Sequence, residues 1–263
     1  MDRLGLIGGT GLVSIADQNQ PLKIYGFELI SNEQIKCETP YGAVPLNVQE
    51  YSTPLGIKTL VFVQRHHNDG EANRQPHMIN HKANIWAILH SKVDALVSVC
   101  SVGAIHSSFQ PGRIGITEQY IDFTGVAMSF HDSTSKFTSM TTPFDESLNS
   151  RLEEHLRSIQ GVASDEPLRF TYWITQGPQF ETPAEIQAIE TLGGDVVGMT
   201  MPREAKLCAE VQLPYAAILI SSNWAAGRMP GNEKAQLNHE EVSKEANKHL
   251  DTIWSSLAFL MNQ

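Results

Sequence analysis

Short apolar runs alternate with longer amphipathic stretches along most of the chain. Residues 4–7, 59–63, 95–99, 170–174, 195–197 and 215–220 are mostly apolar and are bounded by polar or turn residues. Runs of that length predict buried strands. Residues 22–51 predict short strands separated by turn signals at Tyr25-Gly26, Ser31-Asn32 and Thr39-Pro40-Tyr41-Gly42. Residues 79–89 place Ile79, Ala83, Trp86 and Ala87 on one helical face, and residues 146–159 form a charged amphipathic helix. A last helix starts near Asn238 and carries Val242, Ala246, Leu250, Ile253 and Leu257 at helical spacing. The Ser/Thr-rich stretch 125–143 predicts a loop. Strands alternating with helices predict an α/β fold: a mixed, mostly parallel central β-sheet flanked by helices on both faces. With no internal repeat, low-complexity tract or linker, residues 1–263 are expected to form a single domain.

Polar residues fall where the predicted strands end. Arg65, Ser101, Thr200 and Asn223 each lie just beyond one, at the edge where open α/β sheets bind ligands. Thr182, Pro183 and Glu185 make a complete helix start, with a cap, a proline at the first helical position and an acid three residues after the cap. Glu185 therefore has a structural task. Glu181, just before the cap, has none, which leaves a free carboxylate at the same edge.

Composition narrows the chemistry. Apolar residues make up 41% of the chain, enough for a core, and the formal net charge is −10. That charge opposes nucleic acid or an anionic membrane as partner, and it obliges any anionic ligand to find a concentrated positive site. Arg65-His66 is the candidate, since a guanidinium matches phosphate bidentately and an imidazole can add a donor. Cys37, Cys100 and Cys208 lie far apart with no Cys-x-x-Cys pair, which fits a reducing, cytoplasmic setting. The chain opens on a strand pattern rather than a signal peptide, and no apolar run approaches the ~20 residues that span a bilayer.

Gly8-Gly9-Thr10-Gly11 follows the first strand, where glycines let backbone N–H groups approach an anion and Thr10 adds a hydroxyl. Taken alone, it fits a plain strand–turn equally well. Ser14 occupies the third glycine position of a dinucleotide fingerprint, which argues against a dinucleotide-dependent oxidoreductase. Ten histidines invite a metal, but His66-His67 and His77-x-x-x-His81 lack a carboxylate at zinc-like spacing, so none is expected.

Gln176-Gly-Pro-Gln-Phe-Glu-Thr-Pro-Ala-Glu-Ile186 with Gly194-Asp-Val-Val-Gly-Met-Thr200 resembles the signature of the purine nucleoside phosphorylase and methylthioadenosine phosphorylase family. Ile7-Gly-Gly-Thr-Gly-Leu12, Arg65-His66, Pro76, Asn80-His-Lys-Ala-Asn-Ile-Trp86, Ser101-Val-Gly103, Pro111-Gly112 and Gln119-Tyr-Ile-Asp122 resemble further elements of that family in the same order. The resemblance implies phosphate contacts from Thr10, Arg65, His66, Thr200 and Ser101, the last mainly through its backbone. It implies Glu181 and Asn223 as the catalytic and base-reading pair, and nucleoside contacts from Val102, Gly103, Phe180, Met199, Trp224, Ala225 and His239. Phe137 suits the aromatic that this family donates from a neighbouring subunit, so a homotrimer or a dimer of trimers is implied.

The base pair of residues sets the expected specificity. A 6-oxopurine carries a proton on N1 and an acceptor at O6, so Glu181 and Asn223 complement it; adenine would prefer a carboxylate at position 223. The implied reaction is phosphorolysis of 6-oxopurine nucleosides, with inorganic phosphate as co-substrate and no other cofactor. S-methyl-5′-thioinosine phosphorylase, with an apolar 5′ pocket, is the rival; an adenine-directed methylthioadenosine phosphorylase conflicts with the pair. The chain departs from the family at Cys100, Ala104, Gln179 and Met201-Pro202-Arg203-Glu204, where Arg203 is an extra cation next to Thr200.

Overall fold

The computed structural model describes residues 1–9, 22–68 and 73–262. The elements along the chain are β1 (Arg3–Gly8), β2 (Glu28–Cys37), β3 (Val44–Thr53), β4 (Gly56–Gln64), α1 (His81–His90), β5 (Ala95–Ala104), β6 (Ile114–Asp122), α2 (Glu146–Gln160), β7 (Arg169–Ile174), α3 (Pro183–Thr191), β8 (Val196–Gly198), α4 (Met201–Glu210), β9 (Tyr215–Trp224), α5 (His239–Asn247) and α6 (Leu250–Met261). Among the described residues the strands form one mixed sheet in the order β2-β3-β4-β1-β5-β8-β7-β6-β9. β9 also pairs with β5, so β5, β8, β7, β6 and β9 close into a ring. β4, β1, β5 and β9 run parallel, while β2-β3-β4 is an antiparallel meander.

Alternate residues of the central strands supply two cores, because successive side chains point to opposite faces. Leu4, Leu6, Val97, Val99, Ile218 and Ile220 pack with Leu148, Leu152 and Leu156 of α2 and Trp254 and Leu257 of α6. Ile7, Val61, Val63, Leu96, Ala217 and Leu219 pack with Ala83, Ile85 and Ile88 of α1 and Met201, Ala205 and Leu207 of α4. Both faces are therefore covered, as the apolar runs predicted. Trp173, Ile186, Ile189 and Val197 seat α3 in a third cluster.

Three expectations need correction. Ser31-Asn32 is no turn: both residues lie inside β2, opposite Glu50 and Gln49, with only a register shift after Leu29. β5 and β9 run several residues past their expected ends, so Ser101 and Asn223 sit within strands rather than beyond them. The last helix breaks at Lys248-His249, where Lys248 N–H bonds Glu245 O and His249 N–H bonds Ala246 O in i→i+3 fashion. α5 fully buries only Ala246, whereas α6 inserts most of its length into the core.

Candidate active site

A gap in strand pairing makes the site. One edge of β5 pairs with β9 from Leu96 to Ala104. The other edge pairs with β1 only as far as Val99 and with β8 only at Gly103 and Ala104. Residues 100–102 pair with neither, and a cavity of about 410 Å³ opens there. Opposite it, β5 and β9 shift register between Val102 and Gly103, which sets Gly103 against Asn223. Of the expected site residues, Arg65, His66, Ser101, Val102, Gly103, Phe180, Glu181, Met199, Thr200, Asn223, Ala225 and His239 all line this cavity.

Arg65 follows β4 and is buried at the cavity wall. Its Nε donates to Glu204 Oε1 at 2.5 Å and its Nη2 to Oε2 at 3.1 Å, while Nη1 reaches Val99 O at 3.2 Å and Nη2 also reaches Cys100 Sγ at 3.5 Å. Ser98 Oγ and Tyr215 OH donate to Glu204 Oε2 at 2.6 and 3.2 Å. Burial opposes this carboxylate, but the Arg65 charge beside it overcomes that and holds its pKa well below the usual range. A Cβ on Gly9 would stand 3.1 Å from Arg65 Nη1, so a glycine there lets the backbone just past β1 approach the guanidinium. Burial pushes the Cys100 thiol up to about 11, which keeps it neutral.

His66 is tied to a short return of the chain. Arg74 N–H bonds His66 O at 2.8 Å, and His66 Nδ1 lies 2.8 Å from Arg74 O. A carbonyl can only accept, so Nδ1 carries the proton and Nε2 the lone pair. Burial, with the nearby Arg65 charge, lowers the His66 pKa to about 4. At neutral pH the ring therefore offers an acceptor through Nε2 and can pair with the O–H of a protonated phosphate, the reverse of the donor expected. Thr200 caps α4 without a side-chain cap bond, and its hydroxyl sits at the positive end of that helix beside the Cys100 thiol and the Tyr172 hydroxyl.

The base-reading side is built from β7 to α3 and from β9. Thr182 and Glu185 form the reciprocal capping box that starts α3, as their spacing predicted. This fixes the preceding Glu181, whose Oε1 accepts a 2.6 Å bond from Thr175 Oγ1. Burial raises the Glu181 pKa from its ordinary value, against the opposing effect of the Thr175 hydrogen bond. Asn223 Oδ1 accepts from Ser222 Oγ at 3.0 Å and Nδ2 donates to Trp224 O at 2.8 Å, so one amide N–H remains for a ligand. Asn238 caps α5 through a 2.8 Å bond from Glu240 N–H and sets His239 and Val242 along the cavity wall.

Thr10 lies outside the described residues. Of the other expected residues, two do not line this cavity of their own chain. Trp224 does not line the cavity and contributes its carbonyl to Asn223 instead. Phe137 is 95% exposed and away from the cavity of its own chain. Arg203 is buried, does not line the cavity, and has its pKa lowered by burial against the opposing pull of Asp122. The sequence reading missed Glu204, Thr175 and Arg74. Glu204 carried a signal, because it falls on the apolar stripe of α4 with Met201, Ala205 and Cys208. Among the described residues no three or more His, Cys, Asp or Glu side chains gather as a metal-holding group, and no helix is long and apolar enough to cross a membrane.

A family model described as Phosphorylase superfamily matches residues 15–257. The chain belongs to that superfamily. A probable 6-oxopurine nucleoside phosphorylase of Thermococcus kodakarensis is 35% identical over 253 residues, covering 92% of this chain and 85% of the relative. A probable S-methyl-5′-thioinosine phosphorylase of Methanothermobacter thermautotrophicus is 33% identical over 262 residues, covering 99% and 85%. The methylthioadenosine phosphorylase of Schistosoma mansoni, solved with adenine, superposes with a TM-score of 0.80 at 22% identity, over 100% of this chain and 91% of that one. At that identity the likeness shows the shared α/β nucleoside phosphorylase fold.

Proposed function

We propose that this superfamily member cleaves 6-oxopurine nucleosides of the inosine and guanosine type with inorganic phosphate, giving the free base and a sugar 1-phosphate. The observation that carries the reading is the joint presence of Glu181 and Asn223 on one cavity wall, with Arg65, His66 and Thr200 on the same cavity. Glu181 accepts from the purine N1–H. The free Asn223 N–H meets N7 as the glycosidic bonding pair passes to the base. Phosphate, held below the sugar, stabilises the oxocarbenium-like C1′ and then bonds to it. Donors placed where charge develops supply the main catalytic effect. The chemistry needs no covalent enzyme intermediate and no cofactor beyond phosphate as co-substrate.

Cleavage of 5′-methylthioinosine is the second reading, favoured by Val242 beside His239 on the wall assigned to the 5′ end. One experiment separates the two: phosphate-dependent release of base from inosine, guanosine, methylthioinosine and methylthioadenosine. Efficient release from inosine and guanosine is expected. A strong preference for methylthioinosine selects the second reading, and a preference for methylthioadenosine overturns both. The same proposal makes the enzyme a cytoplasmic homotrimer, or a dimer of trimers, whose neighbour supplies Phe137; the exposure of that ring supports this. Light scattering on the purified protein tests it.

A further inference from the structure

A phosphate dianion needs net positive charge, more so in a chain of formal charge −10. Arg65 does not supply it, because the Glu204 carboxylate grips two of its nitrogens and cancels its charge locally. His66 is neutral, with its Nδ1–H spent on the Arg74 carbonyl. Among the described residues that line the cavity, the remaining permanent cation is Arg74. Its backbone is pinned to His66 in both directions, at 2.8 Å each, so the side chain starts beside the imidazole. Its Nε is buried and makes no hydrogen bond. A buried guanidinium donor without a partner, on the wall of a cavity, calls for an anionic ligand.

We propose that Arg74 is the second cation of the phosphate subsite and supplies the net charge that the Arg65–Glu204 pair withholds. In its kinetic form this rests on the phosphorolysis reading. Arg65 then acts as a positioned, neutralised donor, and Arg74 provides the attraction.

The test uses Arg74→Gln and Arg74→Lys. With saturating nucleoside, the Gln variant is expected to raise the phosphate KM about tenfold or more while the nucleoside KM stays within about twofold. The Lys variant, with charge but no fork, should fall between. A phosphate KM within about twofold of wild type in the Gln variant overturns the proposal, as does a change confined to the nucleoside KM. The upward melting shift given by inorganic phosphate to the free enzyme is measured alongside. Its loss in Arg74→Gln supports the proposal even if no nucleoside is cleaved, which separates this inference from the catalytic reading. An equal shift in both proteins, or none in wild type, overturns it.

Discussion

Arg65 and Glu181 show how differently two charged residues of one cavity relate to the fold. Replacing Arg65 with Ala strands the Glu204 carboxylate in the core with only Ser98 and Tyr215 as donors. Breaking a buried pair from one side costs about 3–5 kcal/mol, so Arg65→Ala should fail in stability before its phosphate affinity is measured, and urea unfolding will show it. Glu181 is the opposite case. Its raised pKa means the folded state holds a proton more tightly than the unfolded chain. Its contribution to stability therefore falls as pH rises from the unfolded carboxyl value, ~4.3, through the folded one. Glu181→Gln should be at least as stable as wild type at pH 8, with the difference gone at low pH, yet poor in base release. A Gln variant less stable than wild type at pH 8 would contradict this. At the neighbouring base contact, Asn223→Asp should move preference toward 6-aminopurine nucleosides, read as the ratio of kcat/KM for adenosine and inosine.

Elements differ in how legibly the sequence announces them. The start of α3 was readable because a capping box is local: Thr182 and Glu185 bond each other across the first turn, with Pro183 at the first helical position. Thr182→Ala should cost about 1 kcal/mol in chemical denaturation, and raise the nucleoside KM through the adjoining Glu181. The start of α5 at Asn238 was readable for the same reason. The true lengths of β5 and β9 were not, because they pair along their whole extent only when the ring of five strands closes. Ser101 and Asn223 consequently looked like post-strand residues. His66 was legible as a site residue but not as an acceptor, since its tautomer depends on the Arg74 carbonyl eight residues away. Glu204 looked like a departure in a helix start, because its partner lies 139 residues earlier. At the wall formed by α5, His239→Val should shift the inosine to methylthioinosine efficiency ratio by the equivalent of about 1–3 kcal/mol. A ratio indifferent to that change would make His239 a surface residue.

The Arg65–Glu204 pair also joins the molecule as a whole. It ties the end of β4 to α4, and through Ser98 and Tyr215 it reaches β5 and β9. His81, on α1, sits with Nδ1 3.7 Å from Glu204 Oε1 and is equally buried. Burial lowers the pKa of both His66, to about 4, and His81, so the unfolded chain binds protons below about pH 6.5 that the folded chain takes up only at lower pH. Glu204 acts in the same direction, with its depressed pKa giving stability that is lost as pH falls below about 4.3. Stability should therefore decline in two stages on acidification. Replacing the pair by apolar side chains of similar size, Arg65→Met with Glu204→Leu, tests what it contributes. Each single variant should lose about 3–5 kcal/mol, while the double variant should recover most of it, because two apolar groups need no desolvation. The double variant should keep the upper, histidine stage of acid sensitivity and lose the lower one. Phosphate turnover should stay abolished in all three variants. A double variant as unstable as the singles would show that the hydrogen bonds from Ser98 and Tyr215 and to the Val99 carbonyl, rather than the opposed charges, hold these four elements together.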